Sequence, residues 1–415
     1  MTMARLLPLL LLALLAMVPF TPMGGMREYV LHVFIQIFIW AFLGCAWALM
    51  GRFGLVSLGH GAFLGIGAYT TTLLWNTYGI SPWIGGIAAV ALTVVVALII
   101  AYPCSRFQVI GHYFALVTLA VGEVVRLLLI AERDWTGGSL GLTLKPGGSD
   151  ASLVALQFAD KRVFYYATLV LWLLGLYVWV RIDRSMARAA LEAIGEDETA
   201  AASVGIRVTR FKLGISVLSA VLTAIGGIMY AQYMTYVNPD TLSGIGVSLR
   251  IVFAVVLGGM YSLLGPTVGT SLTIALSEYL RIFFGVKLIG MAETIYGLVL
   301  MLFIIFLPAG IYGSLRDLLR RRDANERRYQ MRYETQTAMS PQEVLEAAIA
   351  FFGGELGLAV QGRTPDRLQF VGGGGHVSLS VGAGNPVVVE LETREWDIQV
   401  EAFMERIARK RWGVF

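Results

Sequence analysis

Charged side chains are scarce. Asp, Glu, Lys and Arg make up 14% of the 415 residues, and hydrophobic residues make up 57%. Soluble domains carry about 25% charge. With a mean hydropathy of +0.70, this scarcity excludes a soluble globular chain and leaves a protein that crosses a bilayer several times. Cysteine is nearly missing too. Cys45 and Cys104 are the two present, both in or beside apolar runs and without metal-ligand spacing, which excludes a disulfide framework and a zinc site. The phosphate-binding pattern G-x-x-x-x-G-K-[ST] is absent. GGSLG at 137–141 and GGGG at 372–375 lack its lysine and its strand–loop–helix setting, so both read as loops. H-E-x-x-H is also absent, and no serine or cysteine has a recognisable partner set for nucleophilic chemistry. No catalytic residue, metal site or cofactor is therefore expected on this chain. It is not expected to be an enzyme, nor to bind nucleic acid.

What is present is a series of apolar runs. A helix needs about 20 apolar residues to cross the hydrocarbon core. Runs of suitable character lie near 5–19, 29–50, 55–75, 83–102, 111–131, 163–181, 211–236, 248–263, 266–283 and 289–309. The first contains Pro8 and Pro19; it lacks a clear A-x-A cleavage site and is read as a retained span, with a signal-peptide core as the alternative. The expected fold is thus all-α and polytopic, with about ten transmembrane helices, some broken or re-entrant. Arg and Lys fix the orientation. Arg181, Arg184, Arg188, Arg207, Arg210 and Lys212 crowd one segment, and RDLLRRRDANERR follows residue 314. An even number of spans separates the two, so both are placed in the cytoplasm. Arg5, Arg52 and Arg106 then also fall inside, and both termini are expected to be cytoplasmic.

The text changes character after Gly313. Residues 1–313 read as the membrane domain, 314–337 as a charged cytosolic connector, and 338–415 as a small cytosolic α+β domain of open role. In the last, SPQEVLEAAIAFFGG has Ser340 as N-cap and Pro341 in the first turn. RLQFV, HVSLSV and PVVVELET alternate as strands do, and WDIQVEAFMERIARKRW closes as an amphipathic helix.

Two glycine-rich stretches interrupt the spans. GRFGLVSLGHGAFLGIGAY covers 51–69 and LGGMYSLLGPTVGTS covers 257–271. Each glycine costs a helix about 1 kcal/mol against alanine. Two compatible accounts fit. Small residues let backbones approach closely, or broken helices line a polar path at mid-membrane. On the second account Ser57, Gly59, His60, Gly61, Gly65, Gly258, Gly259, Ser262, Gly265 and Pro266 are candidates for the path. Glu123 joins them as a charge within a span; Arg126 lies three residues on and Glu278 has Arg281 at the same spacing, so each acid can pair along one helix face. His60 and His112 read as packing or hydrogen-bonding residues before proton carriers.

The polar stretch EAIGEDETAAASVGIRVTRFK, 192–212, runs acids first, then small residues, a glycine, then bases. On a helix from about 185 it forms a short amphipathic rod that Gly205 ends. Small side chains let such a rod enter a groove on a partner while flanking charges set its register. A solvated loop helix is the plainer reading.

These residues carry a resemblance. GLVSLGHGAFLGIGAY, GHYFALVTLAVGEVVRLL, TGGSLGL, RAALEAIGEDETAAASVGIRVTRFKLGISVLSAVLTAIGGIMYA and VVLGGMYSLLGPTVGTSL occur in that order over about residues 30–310. Together they resemble the membrane permease of branched-chain amino acid ABC importers. The resemblance implies a prokaryotic inner membrane as the location, a second, similar permease subunit, two cytosolic ATPases that hold ATP and Mg, and an extracytoplasmic binding protein that delivers substrate to the permease. It also implies that the loop 182–210 carries a coupling helix docking on the ATPases, with Arg188, Glu192, Glu198, Ala200, Ala201 and Gly205 as its candidate residues. The glutamate stands one position away from the general importer pattern, as in this permease subfamily. Urea or a short amide is the alternative substrate within the family. Outside it, the alternative is an ion-coupled secondary transporter with Glu123 as carrier.

Overall fold

The computed structural model describes residues 10–147, 153–284, 291–306, 310–311 and 331–409, apart from positions 11, 23, 373–374, 383, 385 and 395. The chain divides into two compact units, Met1–Ser314 and Leu315–Phe415.

The first unit is a helical bundle. Its helices are α1 (Arg27–Gly51), α2 (His60–Tyr78), α3 (Pro82–Arg106), α4 (Gly111–Ala131), α5 (Lys161–Asp183), α6 (Met186–Glu196), α7 (Glu198–Ser203), α8 (Val208–Met234), α9 (Ile245–Gly258), α10 (Gly265–Phe284) and α11 (Met291–Phe306). Among the described residues, six stretches are long and apolar enough to cross a membrane: Gly24–Gly51, Pro82–Arg106, Gly111–Ala131, Lys161–Asp183, Val208–Met234 and Pro239–Gly258. These six account for part of the ten or so spans expected, and the full count is not reached among the described residues. At 55–75, 266–283 and 289–309 the chain is helical over α2, α10 and α11, but these helices are more polar or shorter than those six. The run 5–19 and the edges of the last run lie partly outside the described residues.

Helix α1 is apolar on every side, and such a helix belongs in the middle of a bundle. Ile35, Ile39, Phe42, Leu43 and Trp47 are fully buried, and α5, α8, α9 and α10 pack around it. Phe38 meets Tyr165 edge-on and stacks on Trp172 of α5, at 5.4 and 5.6 Å between ring centroids. By contrast α4 is mostly uncovered, with Phe114, Thr118 and Gly122 its buried positions.

Pro266 opens the run expected over 266–283. It stands in the first turn of α10, where the missing N–H has no helical partner to lose. The break before it comes from Gly259, at φ +108°. A Cβ on Gly258 would run into the Gly265 carbonyl, and one on Gly269 into the Ala254 carbonyl. The α9–α10 hairpin therefore closes backbone against backbone.

The second unit is a five-stranded antiparallel sheet with helices on its apolar face. The strands are β1 (Met331–Thr337), β2 (Ala359–Arg363), β3 (Arg367–Gly372), β4 (Gly375–Val381) and β5 (Val387–Arg394), in the order β1-β5-β4-β3-β2. Phe370 pairs Val377 and Leu379 pairs Leu391 across the strands, and these residues line the core with Phe352 and Phe403. Helix α12 (Pro341–Ala348) opens on the expected Ser340, which forms a full capping box with Glu343, and α13 (Asp397–Arg409) closes the unit. Strand β1 occupies 331–337, which the sequence reading assigned to the connector. MRYETQT is polar because it forms a sheet edge; among its described side chains Thr337 is buried and Tyr333 and Thr335 are half-buried.

Candidate functional site: the buried helix break and the 186–212 module

Between α1 and α2 the chain leaves helical geometry over residues 52–59. Irregular backbone at membrane depth is tolerated where its polar groups find partners. Here they do. Trp47 Nε1 donates to the Ser57 carbonyl at 2.7 Å, the Leu58 amide donates to Thr118 Oγ1 at 3.0 Å, and the Gly61 amide donates to Ser248 Oγ at 2.9 Å. His60 is fully buried at the head of α2. Its Nε2 lies 2.9 Å from Ser219 Oγ and its Nδ1 lies 3.2 Å from Ser57 Oγ. Ser219 Oγ donates its one proton to the Ala46 carbonyl at 2.6 Å, so it accepts from Nε2–H. Ser57 Oγ accepts from the Gly59 amide at 3.2 Å and is left to donate to Nδ1. A neutral imidazole with its proton on Nε2 satisfies every partner.

The surrounding glycines are packing positions. A Cβ on Gly59 would strike the Thr118 carbonyl, one on Gly65 Ser243 Oγ, one on Gly67 the Ala224 carbonyl, and one on Gly227 the Leu64 carbonyl; on Gly61 it would lie 3.1 Å from the Ser243 carbonyl. The stretch is thus a helix break followed by close backbone crossing of α2 with α8. The second stretch, Gly258, Gly259 and Gly265, closes the α9–α10 hairpin, where Ser262 Oγ donates to the Gly259 carbonyl at 3.1 Å. The structure does not bring the two glycine stretches together around one cavity. Each is filled by neighbouring backbone in this conformation.

Glu123 is held by Arg126. The guanidinium gives it two bonds of 3.0 Å through Nε and reaches Asp240, in the single turn Pro239–Leu242, at 2.6 Å. Glu278 likewise pairs with Arg281 at 2.7 Å and accepts from the Tyr29 hydroxyl at 2.9 Å. Spacing of three residues predicted both pairs. Asp240 escaped it because it comes from another element.

From 186 to 203 the segment is two helices, not one rod. Asp197 leaves helical geometry and caps α7, accepting from the Thr199 and Ala200 amides at 2.8 and 3.0 Å and from the Thr199 hydroxyl at 2.6 Å. The Thr199 hydroxyl first, then the two amides, hold its carboxyl below the ordinary aspartate range. Because the folded value is depressed, this cap is in force at neutral pH and is lost only as the pH falls through that lowered value. Gly205 ends α7 at φ +89°. The Ile206 amide bonds the Ala201 carbonyl at 3.1 Å and the Gly205 amide bonds the Ala202 carbonyl at 3.0 Å, the paired closure of a Schellman motif.

Helix α6 buries Ala190, Leu191 and Ile194 and sets Gly195 against the Phe53 carbonyl, 3.1 Å from where a Cβ would stand. Its outer face carries Arg188, which donates to Glu192 at 2.7 Å; that hydrogen bond raises the Arg188 value. Beneath it Arg52 pairs with Asp183 at 2.7 Å and lies 4.0 Å from the Trp179 ring. Burial lowers the Arg52 value, and Asp183 opposes that shift. The candidate docking residues therefore divide. Arg188, Glu192 and Ala200 are exposed. Ala201 is buried, and Glu198 turns inward to pair with Lys212 on α8, whose side chain is 3% exposed. Lys212, Asp197, Arg52 and Ser219 were not singled out by sequence as site residues. The signals available were a lysine one turn into an apolar helix, and an Asp directly before a run of helix formers.

The fold defines a polytopic helical membrane protein with a capped, partly exposed two-helix module between spans. Residues 29–307 match the family described as branched-chain amino acid transport system / permease component. The high-affinity branched-chain amino acid transport system permease protein LivM of Escherichia coli K12 is 31% identical over 296 residues, covering 66% of this chain and 67% of its own length. The probable branched-chain amino acid transport permease protein LivH of Methanocaldococcus jannaschii is 24% identical, covering 61% of this chain and 82% of its own. The L-arabinose transport system permease protein AraH of Escherichia coli K12 is 34% identical over 147 residues, 34% of this chain and 40% of its own. The chain belongs to the branched-chain amino acid permease family of ABC transporters.

Proposed function

We propose that this chain forms one half of the membrane path of an ATP-driven importer for branched-chain or related hydrophobic amino acids. A second homologous permease subunit completes the path, and an extracytoplasmic binding protein supplies the substrate. Two cytosolic ATPases hold ATP and Mg and dock on α6 and α7, with both termini of this chain on the same, cytoplasmic side. The observation that carries the reading is the α6–α7 module. It is a pair of short helices with defined ends, with Arg188, Glu192 and Ala200 outward, in a chain of this permease family. Rocking of the ATPases moves the module, and the bundle exchanges outward-open and inward-open states. A ligand shifts such an exchange only by its differential affinity, so selection of substrate is left largely to the binding protein.

The test is reconstitution. The chain is purified with the proteins that accompany it, placed in vesicles, and assayed for leucine uptake with ATP, and separately with a proton gradient. ATP-dependent uptake that excess urea leaves unchanged is expected. Uptake driven by the proton gradient alone would overturn the reading, and Glu123 would return as a carrier.

A further inference from the structure

Lys212 is an unusual lysine. It stands in the second turn of α8 and is 3% exposed, although an ammonium is disfavoured both by burial and by the positive end of a helix. Its counter-ion is Glu198, the first residue of α7, 16% exposed. Helix α7 has six residues, too few to hold its own shape or place. Its Asp197 cap and Gly205 closure are local bonds that fix its ends without tying it to the bundle. Ala201 on it is buried, and this ion pair joins it to α8. Helix α8 then runs unbroken from 208 to 234. Along it lie Ser219, bonded to His60 and Ala46, and the tight crossing of Ala224 and Gly227 with Gly67 and Leu64.

We infer that Lys212 is the positioning residue through which movement of α7 reaches the membrane helices, with Glu198 as its inward-facing partner instead of a contact to the ATPase. The ion pair makes α7 and the base of α8 move together, and the continuous α8 delivers that movement to the packed crossing beside the helix break. The inference rests on the importer reading above.

The experiment uses the whole complex in vesicles and reads ATP hydrolysed per substrate moved. Lys212→Met and Glu198→Gln each leave one buried charge unpaired, and the double variant E198Q/K212M leaves none. In all three, ATPases stay bound and hydrolysis continues, while hydrolysis per substrate moved rises by about tenfold because the two helices no longer move as one. If a single variant fails to insert, the double variant carries the measurement. Normal stoichiometry in the double variant overturns the inference. So does a proportional fall of hydrolysis and uptake, which is the signature of a pair that only holds the fold. A wild-type chain that isolates without any ATPase overturns the importer reading and this inference together. A wild-type complex that couples normally, with variants that also couple, overturns the inference alone.

Discussion

Two regions of this protein are built from small residues, and they use them for opposite reasons. In the bundle, Gly59, Gly65, Gly67 and Gly227 each stand where a neighbour's backbone or a serine hydroxyl fills the place of a Cβ. In the module, Gly205 has open space around that place and is needed for its backbone angle, while Ala200 is small on an outward face. The first kind of smallness is for neighbours already present. The second is for the turn, and on our reading for a neighbour that arrives. Composition alone reads the same in both places; what a side chain would meet tells them apart.

Substitutions at each kind of site break or sharpen that contrast. Gly67→Val has the largest expected effect. The valine would meet the Ala224 carbonyl, and no monodisperse protein is expected from detergent extracts. Ala200→Arg comes next. The yield of folded protein is unchanged, because the position is exposed, while retention of ATPases and uptake both fall by about tenfold as a bulky charge faces a matched groove. Wild-type retention in that variant would show that the outward face docks nothing. Gly205→Ala is milder. A side chain at φ +89° costs about 1–2 kcal/mol, so uptake drops several-fold at normal protein yield, with no clash to relieve. Glu123→Gln is the smallest. Arg126 keeps Asp240 as its counter-ion at 2.6 Å, so no unpaired charge is left and uptake stays within about twofold. A larger loss, with a changed pH profile, would restore Glu123 to the transport path.

Much of this arrangement was legible in the sequence, because apolar length and Glu–Arg spacing are local properties. Six of the spans, the break before His60, the Ser340 cap and the two i,i+3 ion pairs all follow from neighbours along the chain. What escaped depends on distant partners. Glu198 and Lys212 are each ordinary in a charged loop, and only the fold turns them toward each other. Strand β1 was hidden since an edge strand shows few apolar residues.

The bonds around His60 have a consequence for leakage. From the Gly59 amide through Ser57, the imidazole and Ser219 to the Ala46 carbonyl, every hydrogen points the same way along the row. A proton wire works by turning each member round after a charge has passed. This row begins on a peptide N–H and ends on a peptide carbonyl, neither of which can turn. It acts as an insulator, letting polar groups sit deep in the bundle without offering the ion gradient a way through.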